Sequence, residues 1–131
     1  MRVFALIVGL TFVYCPVLLA SKAEKGSGMT VQDLARDAFL ARKERRYEEA
    51  VSLYLRAYRI EAVPGLLYNI AYIYERDIED LDLASRFYRR CIAAEGIDAD
   101  VLRRAQQRLR DLKRRISRVE SRQKVLSLIH I

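Results

Sequence analysis

The chain has no tryptophan, one histidine, two cysteines, two prolines and five glycines. Each scarcity removes a class of explanation. With few helix breakers and no alternating run bounded by a hairpin turn, strands are disfavoured, and abundant Ala, Leu, Arg and Glu favour an all-α chain. Two cysteines cannot supply a disulfide framework once one of them, Cys15, falls in an apolar N-terminal stretch. The histidine, His130, falls in a C-terminal stretch that reads as adapter read-through, so it is not expected to serve catalysis. No glycine loop that could cradle a phosphate, nucleophile motif or paired metal ligands occur. The acidic stretch from Glu75 to Asp82 lacks the loop glycine and ligand spacing of a calcium loop. No enzymatic activity, cofactor or metal is therefore expected.

What is present is an apolar share of 52%, ample for the core of one small domain. At the N-terminus, one arginine precedes an uncharged apolar run from Val3 to Ala20, followed by Ser21-Lys22-Ala23. This pattern reads as a signal peptide over 1–23, cleaved after Ala23 or, alternatively, after Ala20. The run is also long enough to span a bilayer, which keeps an uncleaved anchor as the other reading. Phe12, Val13 and Tyr14 are too bulky for a lipidation site at Cys15. An exported, periplasmic chain is the expectation, with Cys91 alone in it and packed as a small hydrophobe.

The formal charge of +7 is unevenly spread. Residues 24–100 carry 12 Lys/Arg against 15 Asp/Glu, whereas residues 101–124 carry ten basic residues against two acidic ones. The basicity belongs to one segment. Residues 24–30 are a polar, glycine-containing flexible lead. Beyond them, Val31, Leu34, Ala35, Ala38 and Phe39 recur at helical spacing, as do Tyr47, Ala50, Val51, Tyr54, Ala57 and Tyr58. Pro64-Gly65 introduces a third helix, from Leu66 to about Arg76, and a fourth spans Leu81 to Ala94 before Gly96. Ala50, Tyr54 and Ala57 return 34 residues later as Ala84, Tyr88 and Cys91. Leu34, Ala38 and Ala41 return after 33 as Leu67, Ala71 and Tyr74, which implies one residue added among Asp77, Ile78, Glu79 and Asp80.

The run Leu67-Tyr68-Asn69-Ile70-Ala71-Tyr72-Ile73-Tyr74, followed by Ala84, Phe87, Tyr88 and Cys91, resembles a tetratricopeptide repeat. Ala38 through Arg46-Tyr47-Glu48-Glu49-Ala50, Tyr54 and Ala57 resemble another, so the likeness covers 31–95. Arg45 stands where the family usually has a turn glycine, and the proline expected after the first unit is displaced to Pro64. The resemblance implies two helix-turn-helix repeats in a right-handed superhelical stack, with Ala38, Ala50, Ala71 and Ala84 at close helix approaches and Tyr54, Tyr74 and Tyr88 filling the space between units. It also implies a concave groove for a peptide or protein partner, lined by Phe39 and Arg42 of the first helix and Tyr68, Asn69, Tyr72 and Glu75 of the third. Asn69 matches a groove asparagine that holds peptide backbone, but Ala35 and Phe39 occupy positions that some relatives use to clamp a terminal carboxylate. No such clamp is expected.

Leu102, Ala105, Leu109, Leu112, Ile116 and Val119 then step by three and four through a long basic helix, 98–124. Its first half is expected to cap the repeats. Its projecting half leaves a coiled-coil partner or self-association as an alternative. Arg103, Arg104, Arg108, Arg110, Arg114, Arg115, Arg118 and Arg122 read first as solvated cover, then as a surface for anionic lipid or an acidic protein. Nucleic acid is disfavoured in an exported chain whose basic helix has no aromatic residue. The last residues, Leu126 to Ile131, correspond to the codons CTG TCT CTT ATA CAC ATC, which resemble a transposase-end sequencing adapter. Read-through is expected there, with the natural chain continuing past Lys124. The functional expectation is a scaffold or adaptor of the cell envelope, with membrane-surface docking through the basic helix as the alternative.

Overall fold

A computed structural model describes residues 28–130. The expected signal peptide at 1–23, residues 24–27 of the flexible lead and Ile131 lie outside the described residues. Within them the protein is all-helical: α1 (Val31–Lys43), α2 (Tyr47–Ile60), α3 (Pro64–Ile73) running into a π turn (Tyr74–Ile78), α4 (Leu81–Ile92) and α5 (Ala99–Ile129). Each helix packs on the next in sequence, and α3 also touches α5. No helix among the described residues is long and apolar enough to cross a membrane.

Local chemistry sets the helix ends. Thr30 opens α1 with a capping box, its hydroxyl accepting from the Asp33 amide at 3.1 Å while the Asp33 carboxylate accepts from the Thr30 amide at 3.2 Å. Donation from Thr30 holds the Asp33 carboxyl below its usual range. Asp80 and Asp98 cap α4 and α5 with their own carboxylates alone, accepting from the Leu83 amide at 2.9 Å and the Asp100 amide at 2.9 Å. Pro64 stands in the first turn of α3, as its place in the sequence suggests, where its missing N–H is not needed, and the helix begins two residues before Leu66. The α-helical part of α4 stops at Ile92, short of the expected Ala94, and Gly96 supplies the positive φ of 68° that turns the chain toward α5.

Burial repeats with the period of the sequence. Leu34 and Leu67, Ala38 and Ala71, Ala50 and Ala84, Tyr54 and Tyr88, and Ala57 and Cys91 are all buried, so these five positions of the first helix pair have equally enclosed counterparts in the second. Alanine at Ala38, Ala50, Ala71 and Ala84 lets the helices approach closely. Cys91 fills its place as a buried thiol that donates to the Pro64 carbonyl at 3.3 Å, and burial pushes its pKa up, away from reactive thiolate. Tyr54 and Tyr88 fill the interior as expected, but Tyr74 does not. It is half-buried and stacks on Phe87 of α4 with ring centroids 5.5 Å apart.

The added residue is absorbed differently from the expected turn insertion. Arg45 and Glu79, 34 positions apart, both hold left-handed backbone, with φ of 62° and 64°, at the turn inside each helix pair. Ala41 and Tyr74 are 33 apart, so the extra residue lies between Tyr74 and Glu79, where the π turn widens the helix by one residue. Left-handed backbone strains a side chain with a Cβ, and Arg45 is exposed. Arg45→Gly is expected to stabilise the fold by about 1 kcal/mol. Urea unfolding checks this: a variant no more stable than the parent would show that the turn is not strained.

The fifth helix is longer than the expected 98–124 and continues through Leu126–Ile129, since leucine and isoleucine propagate a helix. Its packed part is short. Ala105 and Leu112 are fully buried, Ile116 is half-buried, and every described residue from Ser117 onward is exposed.

Candidate partner-binding face

The six residues expected to line a groove divide into three situations. Phe39 is 47% exposed on α1, with the Lys43 ammonium 5.0 Å from its ring centroid. Arg42, one turn further on, leans across to the second helix pair. Its Nε donates to Asp77 Oδ2 at 2.5 Å, and its guanidinium carbon lies 4.8 Å from the centroid of Tyr72. The hydrogen bond to Asp77 keeps the Arg42 cation more firmly protonated than usual.

Tyr68, Asn69 and Tyr72 sit half-buried on α3, whose Leu67, Ile70, Ala71 and Ile73 are occupied in the core. The rings of Tyr68 and Tyr72, one helical turn apart, stack at 6.4 Å. Tyr68 also meets the edge of Tyr88 at 5.6 Å. Helical spacing alone places these residues on neighbouring positions of one face.

Glu75, the sixth, is only 4% exposed and is no open groove residue. Its Oε2 accepts from the Tyr88 hydroxyl at 2.8 Å, while its Oε1 faces Arg108 at 3.4 Å and Arg115 at 3.6 Å. The corresponding residue of α1, 33 positions earlier, is the part-exposed Arg42. One carboxylate thus joins the end of α3, the middle of α4 and the underside of α5.

The arginines of α5 are sorted by face. Arg104 and Arg108 reach back to α3, with guanidinium carbons 5.6 Å from the Tyr68 centroid and 5.2 Å from the Tyr72 centroid. Arg115, two turns beyond Arg108, follows the same row to Glu75. Arg103, Arg110 and Arg114 point elsewhere and are engaged within α5 itself, by Asp100 at 2.7 Å, Gln107 at 2.7 Å and Asp111 at 3.7 Å. The two surfaces read separately in the sequence, a groove and a basic helix, therefore meet at Tyr68 and Tyr72. Asp77 and Arg115 belong to this junction, although sequence reasoning left Asp77 out of the site and treated Arg115 as part of the basic helix alone. The steps of four and seven from Arg104 to Arg115 were a visible signal that those cations share a face.

Where α5 leaves the body, Ile78, Leu81, Ile116 and Val119 line an open cleft of about 620 Å³ walled by Glu79, Asp80, Asp82 and Glu120. Among the described residues no group of three or more His, Cys, Asp or Glu side chains could hold a metal ion. No family model matches the chain, and neither a curated protein nor a solved structure matches it.

Proposed function

We propose that the protein is a non-enzymatic adaptor of the tetratricopeptide type, exported to the cell envelope, which holds an extended segment of a partner protein on the face formed by α1, α3 and the start of α5. The observation that carries this reading is the Tyr68–Tyr72 stack. Tyr68 packs on Tyr88 of the core and arginines from α1 and α5 flank the pair, yet both tyrosines stay only half-buried, which leaves part of each side chain open to a partner. Support for the repeat assignment comes from the burial pairs at 33 and 34 residues and from the left-handed turn residues at Arg45 and Glu79. Asn69, beside both tyrosines, offers an amide that can both donate to and accept from a peptide backbone.

The test is a selection of short peptides by the immobilised full chain, followed by affinity measurement on the selected sequences. Tyr68→Ala combined with Asn69→Ala is expected to weaken them by about tenfold or more, with an unchanged helical circular dichroism spectrum. Equal affinity in the folded double variant would remove this face from the function.

A further inference from the structure

We infer that the segment held on this face is acidic, its carboxylates taken by the inner arginine row of α5 beside the tyrosine pair; the inference rests on the peptide-binding reading above. Two helices deliver cations to two rings on a third. Arg42 comes from α1, Arg104 and Arg108 come from α5, and Tyr68 and Tyr72 stand between them on α3. A guanidinium lying over a ring spends its flat face on the aromatic and keeps its N–H edge for a ligand.

Those edges are largely unspent. Arg104 donates from Nε to the Asp100 carbonyl at 3.3 Å, and Arg108 makes one long contact of 3.4 Å with Glu75. The side chains of Arg108 and Arg115 are 35% and 45% exposed, so their outer donors reach solvent while their inner ends meet a buried carboxylate. Among the described residues, Glu75 and Asp77 are the carboxylates paired with Arg42, Arg108 and Arg115, and Arg104 adds a fourth cation, so the cluster carries two positive charges in surplus. A basic or neutral segment leaves that surplus unanswered; Asp or Glu side chains answer it with bidentate geometry.

The same geometry argues against single-stranded nucleic acid, for which arginines beside tyrosines would otherwise be suited. Stacking a base requires a free ring face. Tyr72 already carries two guanidiniums and the ring of Tyr68, while Tyr68 is met by Arg104, Tyr72 and Tyr88. The outer row, Arg103, Arg110 and Arg114, is likewise cationic but is engaged by Asp100, Gln107 and Asp111 of α5 itself, with no arginine–ring contact among the described residues. It supplies an internal control.

Fluorescence anisotropy on the full chain tests the inference with a short labelled peptide alternating glutamate and leucine, and with its glutamine counterpart. The glutamate probe is expected to bind about tenfold more tightly, a preference that shrinks as salt rises. Arg104→Gln with Arg108→Gln should abolish that preference, whereas Arg103→Gln with Arg110→Gln, which removes equal charge from the outer row, should leave most of it. Because Arg108 also touches Glu75, Arg104→Gln alone is the second variant, and it should lower glutamate-probe affinity by about threefold or more. Equal losses from the two rows, or equal affinity for the two probes, overturn the inference. So does displacement of the probe by oligothymidylate or anionic vesicles more readily than by unlabelled peptide. If the glutamine probe binds equally well and Tyr68→Ala with Asn69→Ala still removes it, only the acidic assignment fails. If neither probe responds to the tyrosine variant, the peptide-binding reading fails with it.

Discussion

Glu75→Ala is expected to lower the melting temperature by roughly 10–20 °C, corresponding to a loss of about 3 kcal/mol in a domain of this size. The effect is large because the carboxylate serves three elements at once. Its Oε2 satisfies the hydroxyl of Tyr88, which has no exposure, and its Oε1 draws Arg108 and Arg115 of α5 toward the body. Truncation removes the acceptor of a buried hydroxyl and the counter-charge of two arginines together. The penalty is moderated because Arg108 and Arg115 are part-exposed and can turn to water. Glu75→Gln retains an acceptor for Tyr88 and should lose about half as much. Thermal unfolding followed by circular dichroism decides the matter: a melting point within about two degrees of the parent for Glu75→Ala would show that α5 is held without this carboxylate.

Alkaline pH should destabilise the fold through Tyr88. Burial, then the hydrogen bond to Glu75 and the proximity of its charge, raises the Tyr88 pKa far above the ordinary value of 10.0. The folded protein keeps this proton at a pH where the unfolded chain has released it. The stabilisation is therefore fully present below about pH 10 and is lost as pH rises, at about 1.4 kcal/mol per unit. Between pH 10 and 12 the loss should reach about 3 kcal/mol. Burial raises Tyr54 and Tyr74 in the same direction, so Tyr88→Phe should flatten the decline without removing it. Denaturant unfolding over this range is the measurement, and a stability independent of pH would refute the assignment.

Much of the fold is legible in the sequence because helix packing imposes local constraints. Ala38, Ala50, Ala71 and Ala84 are small where helices cross, and apolar residues recur every three or four positions, so both helix pairs and their 33 and 34 residue registers can be read directly. The π turn is less legible. The unequal registers announce an extra residue, but whether it loops out or widens the helix depends on what Glu75, Asp77 and Ile78 meet from other elements. Glu75 is the sharpest case: an acidic residue among polar neighbours reads as exposed, and only the Tyr88 hydroxyl and two arginines from a distant helix account for its burial.

The proposed face shows the same division. Phe39, Arg42, Tyr68, Asn69 and Tyr72 follow from helical spacing and the resemblance, and the arginine row of α5 follows from steps of four and seven. Sequence by itself determined the helices, their duplication and the concentration of positive charge in one segment, since each is a regularity along the chain. Only the tertiary structure decided that Arg104 lies over Tyr68 and Arg108 over Tyr72 while Arg103 and Arg110 turn away, and that Glu75 points inward. Periodicity states which residues share a face; what that face meets depends on how α5 is rotated and seated against α3 and α4, which the side chains of all three helices settle together.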